Sequence, residues 1–208
     1  MKERIPYIDA AKGIGILAVI WGHILLSGWS HVIVYAFDIP LFLFISGMVY
    51  NSDKYRTFKA FMKSRVKSLL IPYLFFSAVT WLVWIGYRSA LRLPIENTWY
   101  PLWQTLIAQG SGDFLIHNVP LWFVTCLMGV EVMYYFTVRF NEVVNLSICL
   151  LCAFLGYVCV YNGWTRLPWN LEAALSGLLF FAIGNLCANH WGKLCFPAFC
   201  RKYKKVCG

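Results

Sequence analysis

The sequence predicts an all-α, polytopic membrane protein with about six transmembrane helices, and three observations lead to this fold class. Of the 208 residues, 60% are hydrophobic and 13% are charged, whereas a soluble domain carries about 25% charged residues. The apolar residues are concentrated in six runs, each close to the roughly 20 residues that a helix needs to cross the hydrocarbon core. These runs lack the two-residue alternation of barrel strands, so lipid forces them to be helical. The composition excludes a soluble globular domain and a disordered chain.

The six predicted spans follow one another along the chain. They run approximately over Gly13–Trp29, Val32–Tyr50, Leu69–Tyr87, Val119–Thr137, Val143–Tyr161 and Leu171–His190. We expect residues 1–190 to form one transmembrane domain and residues 191–208 to form a basic cytoplasmic tail. The first apolar run has no small-residue cleavage site, so we expect it to remain as an anchor rather than to be removed as a signal peptide.

Two connections between the predicted spans are distinctive. The inner connection Asn51–Ser68 carries six cations interleaved with aromatic residues, which predicts an amphipathic helix lying at the membrane surface. The outer connection Arg88–Asn118 is long for a hairpin, and its aromatic residues Trp99, Tyr100 and Trp103 suit the headgroup region. Connections of this length often carry function.

The distribution of basic residues predicts the orientation. With a cytoplasmic N-terminus, fifteen Lys and Arg residues fall on the inner side, and three fall on the outer side: Arg88, Arg92 and Arg166. The positive-inside bias therefore predicts a multi-pass protein of the inner (cytoplasmic) membrane with both termini in the cytoplasm. The net charge of +9 is explained by this topology, and no nucleic-acid partner is expected.

The eight cysteines predict neither a disulfide framework nor a metal site. Most of them fall inside predicted spans or on the inner side, where disulfides are rare. Cys149 and Cys152 form a C-x-x-C pair, but no second pair or nearby histidine accompanies them. We therefore expect this pair to serve packing.

Ionisable residues within the predicted spans are the candidate functional residues, because each costs several kcal/mol in lipid unless it faces a partner or water. Lys12 and His23 are eleven residues apart, which places them on one helix face about 16 Å apart. Asp38 shortly precedes Pro40, which frees a carbonyl one turn earlier. Glu131 lies deep in the fourth predicted span and needs a cation, a donor or its own proton.

Each of these residues also has a structural interpretation. His23 could bond to a neighbouring helix, Lys12 could be a snorkelling anchor, Asp38 could lie in water near the outer boundary, and Glu131 could be a protonated bridge. The remaining histidines, His31, His117 and His190, fall at span ends that water reaches.

Two classes of function fit a membrane base connected to a cationic inner surface. One is an enzyme that passes a group from an anionic donor to an acceptor at the bilayer, and the other is a transporter. A transporter would be expected to show two related halves, and the sequence has no such internal symmetry. The enzyme is favoured.

Four blocks of sequence, in order over about 130 residues, carry a family resemblance. Tyr7–Ile16 followed by Trp21–His23 combines a basic residue, ten further residues and a histidine, and it is similar to the first-helix signature of the membrane acyltransferase-3 family. Phe37–Gly47, Lys63–Tyr73 and Pro120–Glu131 resemble the later helices of that family.

The resemblance implies a polytopic enzyme that moves an acetyl or other acyl group from acyl-CoA to a sugar hydroxyl, as in O-acetylation of surface polysaccharides. It implies His23 as catalytic base, with Asp38 and Glu131 also in the catalytic site. Many relatives have a histidine at the position of Asp38, whose carboxylate we expect to orient His23 instead. The residues implied for the phosphates of CoA are Lys12, Arg65 and Lys67.

The expected partners are membrane lipid, acetyl-CoA as donor and a carbohydrate acceptor, with no metal and with homo-oligomerisation left open. Lys12 replaces the arginine common in the family and loses its bidentate geometry, but lysine remains a phosphate ligand. The family commonly has about ten spans, so six predict a shortened member that covers the N-terminal part of its fold. The alternative function is a catalytically inactive assembly or interaction module.

Overall fold

The computed structural model describes residues 6–24, 29–94, 97–109, 117–164 and 167–194, with only the backbone described at residues 6–7, 22–24, 29–36 and 191–194. In this part of the chain the regular structure is helical, without strands, which confirms the predicted fold class. The α-helices are α1 (Pro6–Ile24), α2 (Trp29–Met48), α3 (Phe58–Arg65), α4 (Ile71–Ala90), α5 (Tyr100–Ile107), α6 (Trp122–Thr137), α7 (Glu142–Tyr161) and α8 (Leu171–Leu194). Three-residue 3-10 turns lie at Ser52–Lys54, Val119–Leu121 and Pro168–Asn170.

Four helical segments of the described residues are long and apolar enough to cross a membrane. They are Phe58–Ala90, Val119–Thr137, Glu142–Tyr161 and Pro168–His190, and they confirm the third to sixth predicted spans. The first two predicted spans correspond to α1 and α2, with 19 and 20 residues. The structure describes only the backbone for several of their residues, so the prediction that these two helices cross the membrane stays a prediction. The helices support a multi-pass membrane protein.

The inner connection differs from the predicted surface helix. α3, a π-helical turn over Val66–Leu70 and α4 form one continuous segment of 33 residues. Pro72 has no N–H for the carbonyl of Ser68, and the wider π-turn accommodates this interruption. Phe61 is fully buried and its ring stacks on Tyr135 of α6 at 4.7 Å. The aromatic residue that suggested a membrane surface therefore packs into protein.

The helices fall into two compact units, Met1–Tyr50 with Phe180–Gly208 and Asn51–Leu179. In the first unit, α1 packs on α2, and α2 crosses the second half of α8 at two glycines. A Cβ at Gly47 would collide with the carbonyl oxygen of Phe181, and one at Gly184 would collide with that of Phe44. Small residues let membrane helices approach closely where no hydrophobic effect drives them together.

Asn185 strengthens this crossing. Its Nδ2 donates to the carbonyl oxygens of Gly47 at 3.1 Å and Tyr50 at 3.2 Å. These carbonyls lie at and beyond the C-terminal end of α2, where the helix leaves acceptors without intrahelical donors. The close glycine contacts and the Asn185 hydrogen bonds therefore stabilise the same crossing of α2 and α8.

The second unit is built around α6. Its buried residues include Cys126, Val130 and Tyr134. α5 lies beside α4, and two hydrogen bonds from α4 hold it there. The Trp81 indole donates to the carbonyl oxygen of Thr98, just before α5, at 2.7 Å. The Tyr73 hydroxyl donates to the carbonyl oxygen of Thr105 in α5 at 2.6 Å. The long outer connection is thus attached to a transmembrane helix.

The glycine crossing predicts that Gly47→Ala destabilises the protein by about 1–3 kcal/mol, since the added methyl group forces the helices apart. Gly86→Ala in α4 is the matched control, because nothing lies within 4 Å of its added Cβ. Alanine there should be neutral or stabilising by up to about 1 kcal/mol through helix propensity. Thermal unfolding in detergent, followed by circular dichroism, measures both. Equal unfolding midpoints for the two variants would contradict the close crossing.

Candidate functional site

Glu131 forms a buried ion pair with Arg65. The Arg65 Nη1 donates to the Glu131 Oε1 at 3.0 Å, and the two side chains are 18% and 7% exposed. The carboxylate in α6 was predicted to need a cation, a donor or a proton, and the cation comes from the end of α3. Two of the predicted site residues are therefore in direct contact.

The position of this pair follows from helix geometry. Phe61 and Arg65 are four residues apart on α3, and Glu131 and Tyr135 are four residues apart on α6. Residues with this spacing share one helix face. The stacked rings of Phe61 and Tyr135 and the ion pair are consequently adjacent contacts between the same two helices. The Arg65 guanidinium also lies 5.4 Å from the Phe61 ring centroid, within cation–π range.

The ion pair leaves hydrogen-bonding capacity unused. The Arg65 Nε, the Glu131 Oε2 and the Tyr135 hydroxyl are buried and have no hydrogen-bond partner in the described part of the chain. Nearly all buried polar atoms in proteins are bonded to protein or water. These three atoms, all from side chains at the contact between α3 and α6, can bond to water or to a polar ligand.

Cations dominate the chain just before α3. The Tyr55 hydroxyl lies 2.8 Å from the Ser64 Oγ, and its ring is close to Lys54 and Arg65. Burial opposes ionisation of this phenol, yet the hydrogen bond to Ser64 and the two cations lower its pKa. A lowered tyrosine pKa indicates an environment that favours anions.

The predicted site residues on α1 and α2 lie in the other unit. Asp38 is buried at 5% exposure, and its Oδ1 accepts from the Ile39 N–H at 2.6 Å. Lys12 is partly exposed on α1. His23 lies in the last turn of α1, but its side chain is outside the described residues. The expectation that the Asp38 carboxylate orients the His23 imidazole therefore stays a prediction.

Lys67 is separated from the ion pair along the same helical segment. It lies in the π-helical turn two residues after Arg65 and is exposed. Two residues correspond to roughly 200° around a helix, so Lys67 and Arg65 occupy different faces. Its predicted role toward CoA is untested.

Sequence reasoning missed a group of buried polar residues around α5. Gln104, Thr105 and Gln109 are at most 4% exposed, although the sequence placed them in an outer connection. The Thr105 Oγ1 lies 3.4 Å from the His117 Nε2. His117 was expected in water, but it is half-buried, and burial lowers its pKa. The sequence could have indicated this group, because amide and hydroxyl residues recur in and just after a short apolar helix.

The 3-10 turn Pro168–Asn170, just before α8, holds the C-terminal end of α5. The Asn170 Nδ2 donates to the carbonyl oxygen of Ala108 at 2.6 Å, and the Trp169 indole donates to that of Leu106 at 3.0 Å. Ala108, Trp169 and Asn170 have φ values of 53°, 60° and 52°. Such left-handed backbone outside glycine costs about 1–3 kcal/mol per residue and is kept where the surroundings enforce it. The hydrogen bonds supply that enforcement.

The described cysteines are free thiols. Cys149 of the C-x-x-C pair is fully buried, and its Sγ lies 3.5 Å from the Asn145 Oδ1. This contact agrees with the packing role predicted for it. Among the residues that the structure describes, no cluster of three His, Cys, Asp or Glu side chains could hold a metal ion.

The ion pair predicts strong coupling between Arg65 and Glu131. Glu131→Leu or Arg65→Met alone should destabilise the protein by about 3–5 kcal/mol, because each leaves an uncompensated buried charge. The double variant R65M/E131L should recover most of that loss. Thermal or denaturant unfolding in detergent gives the coupling energy from the double-mutant cycle. Asp53→Asn, at an exposed carboxylate, is the control, and additive effects of the two single variants would contradict the coupling.

Comparison with known proteins gives one match. The acyltransferase domain of acyltransferase family 3 matches residues 5–196, a range that includes every predicted site residue. No curated protein and no solved structure matches the chain. With its apolar spanning helices and a match over most of its length, the chain belongs to acyltransferase family 3 and is a membrane acyltransferase.

Proposed function

We propose that this membrane acyltransferase transfers an acetyl group from acetyl-CoA to a hydroxyl of a cell-surface carbohydrate. It would act in the inner membrane with both termini in the cytoplasm, as the distribution of basic residues favours. The observation that carries the donor assignment is the partly buried Arg65 guanidinium, fixed by Glu131 at 3.0 Å within a strongly basic segment.

The charges around α3 support a polyanionic donor. Residues 51–68 contain six cations and one acid, Asp53, so the pairing of Arg65 with Glu131 leaves a large positive excess. Charge-assisted hydrogen bonds to phosphate are among the strongest that a protein makes. Arg65 provides a pre-organised planar donor, and Lys67 and Lys12 provide flexible point charges. CoA presents several phosphates to such a surface.

Acyl transfer would proceed through attack of the acceptor hydroxyl on the thioester carbonyl. His23 on α1 would take the hydroxyl proton as the new C–O bond forms, a role suited to a group that titrates near neutrality. The C–S bond then breaks, and the CoA thiolate leaves and receives that proton from the imidazolium. Asp38 would hold the imidazole in the required orientation. The products are the sugar ester and CoA.

The buried polar group around α5 supports a hydroxyl-rich acceptor. Gln109 and His117 offer amide and imidazole groups that can donate to and accept from sugar hydroxyls. They lie in the connection that the orientation places on the outer side, where a surface carbohydrate would arrive. The Tyr73 and Asn170 hydrogen bonds hold this helix in place.

The proposed base predicts that His23→Ala lowers acetyl transfer by about 10²–10⁴-fold, the usual contribution of general base catalysis. The assay measures label from radioactive acetyl-CoA in the glycan fraction of membranes that contain the protein. His190→Ala, at the end of α8, is the matched control and should retain transfer. Unchanged transfer in His23→Ala would discard the base, and no transfer by folded wild-type protein would favour the inactive assembly module.

The proposed phosphate contact predicts that Lys12→Gln raises the KM for acetyl-CoA by roughly 10-fold with kcat little changed. A hydrogen bond to a charged group contributes about 1.5–3 kcal/mol to binding. A partly exposed side chain such as Lys12 contributes less, because water competes for the contact. Increasing salt should raise the wild-type KM more than the variant KM, since the variant has one contact fewer to screen. Arg92→Gln, at an exposed cation of the outer connection, serves as control, and an equal rise in its KM would contradict a specific contact.

A further inference from the structure

Three lysines form a line along one face of the segment that begins with α3. Lys59, Lys63 and Lys67 are spaced four residues apart and are all exposed. This spacing advances each lysine by only about 40° around the helix axis. Phe61, which packs on α6, is about 200° from both Lys59 and Lys63. The lysine line therefore lies on the face opposite the buried contacts of α3.

An apolar wall runs beside the lysine line. Phe58, Met62, Val66 and Ile71 line, together with the carbon stems of the three lysines, an apolar groove of about 760 Å³, and the lysine charges lie beside it. Cationic and apolar side chains thus follow the same direction along one helix. A ligand that matches both must carry negative charge and hydrocarbon in parallel.

The length of the segment places this groove at the edge of the bilayer. Its 33 residues extend about 50 Å at 1.5 Å per residue, whereas the hydrocarbon core is about 30 Å thick. The part Leu69–Tyr87 has no Lys, Arg, Asp or Glu and suits that core. The lysines precede it, so we expect them near the level of the lipid phosphates, and Ile71 lies at its beginning.

We propose that this groove binds one anionic diacyl phospholipid. The lipid phosphate contacts Lys59 and Lys63, and an acyl chain runs along Met62, Val66 and Ile71 toward the hydrocarbon core. Basic residues near an anionic membrane surface each contribute to lipid attraction, and the apolar wall adds contact area for the chain. The donor phosphates are assigned to Arg65, Lys67 and Lys12. The Arg65 guanidinium lies on the opposite face of the segment from Lys59 and Lys63. Lys67, which borders the groove, keeps its proposed contact with CoA, so the two sites adjoin at Lys67 but bind their phosphates through different residues.

The test uses the full-length protein purified in detergent and titrated with phosphatidylglycerol or phosphatidylethanolamine, with bound lipid counted by native mass spectrometry. Wild-type protein should retain one phosphatidylglycerol per chain and bind phosphatidylethanolamine at least 10-fold more weakly. K59Q/K63Q should weaken phosphatidylglycerol binding by roughly 10-fold or more. K59R/K63R should restore it, because the charges remain on the groove.

A matched variant separates a site from general charge attraction. K54Q/R56Q removes the same charge from exposed positions outside the groove and should leave binding within about 2-fold of wild type. M62S/V66S keeps every charge but should weaken binding, since the apolar wall is lost. Circular dichroism checks that each variant is folded.

Three results would overturn the proposal. Equal losses in K59Q/K63Q and K54Q/R56Q would show attraction without a site. Equal binding of both lipids would show that the lysines do not select charge. Displacement of phosphatidylglycerol by equimolar CoA would assign the groove to the donor instead. Loss of lipid binding in K59Q/K63Q with transfer activity retained would leave the proposed function intact.

Discussion

A carboxylate buried among apolar helices must find a cation, and much of the second unit is organised by how Glu131 meets that requirement. Arg65 is 66 positions earlier in the chain, so the basic connection after α2 has to pack against α6 rather than lie on the membrane surface. Phe61 and Tyr135 provide the apolar contact one turn away. Separating the ions would leave a bare charge in a medium of low dielectric constant, which makes the packing of α3 on α6 obligatory.

The same constraint gives the α3 segment two chemically different faces. The face toward α6 carries the aromatic ring and the guanidinium, while the opposite face carries lysines at four-residue spacing. A helix lying flat in the headgroup region could also carry a lysine face and an aromatic face, but its arginine would lack the buried carboxylate that Glu131 supplies here. Insertion of α3 as the extension of a transmembrane helix separates a buried charge from a row of exposed ones.

Hydropathy was sufficient to predict the third to sixth spans and the helical fold, because lipid permits few alternatives. It also identified Glu131 as a residue in need of a partner, but it could not choose Arg65 among six nearby cations. That choice depends on the register between α3 and α6. The continuation of α3 into α4 and its packing on α6 were not predicted, because aromatic residues among lysines are equally compatible with a membrane surface and with a neighbouring helix. Asn170 and Asn185 were missed because their side chains bond to carbonyl groups that are far away in the sequence.

The unused atoms of the ion pair argue that it does more than hold two helices together. A structural pair in lipid gains most when every donor and acceptor is satisfied, since each buried unpaired polar group costs about 1–3 kcal/mol. Here the Arg65 Nε, the Glu131 Oε2 and the Tyr135 hydroxyl are left without a hydrogen-bond partner among the described residues. All three lie at the inner end predicted for α6, next to a segment with a large positive excess. Water, or a ligand that carries both hydrogen-bond donors and acceptors, would complete the network, which is the behaviour expected of a binding site that is pre-organised for its ligand.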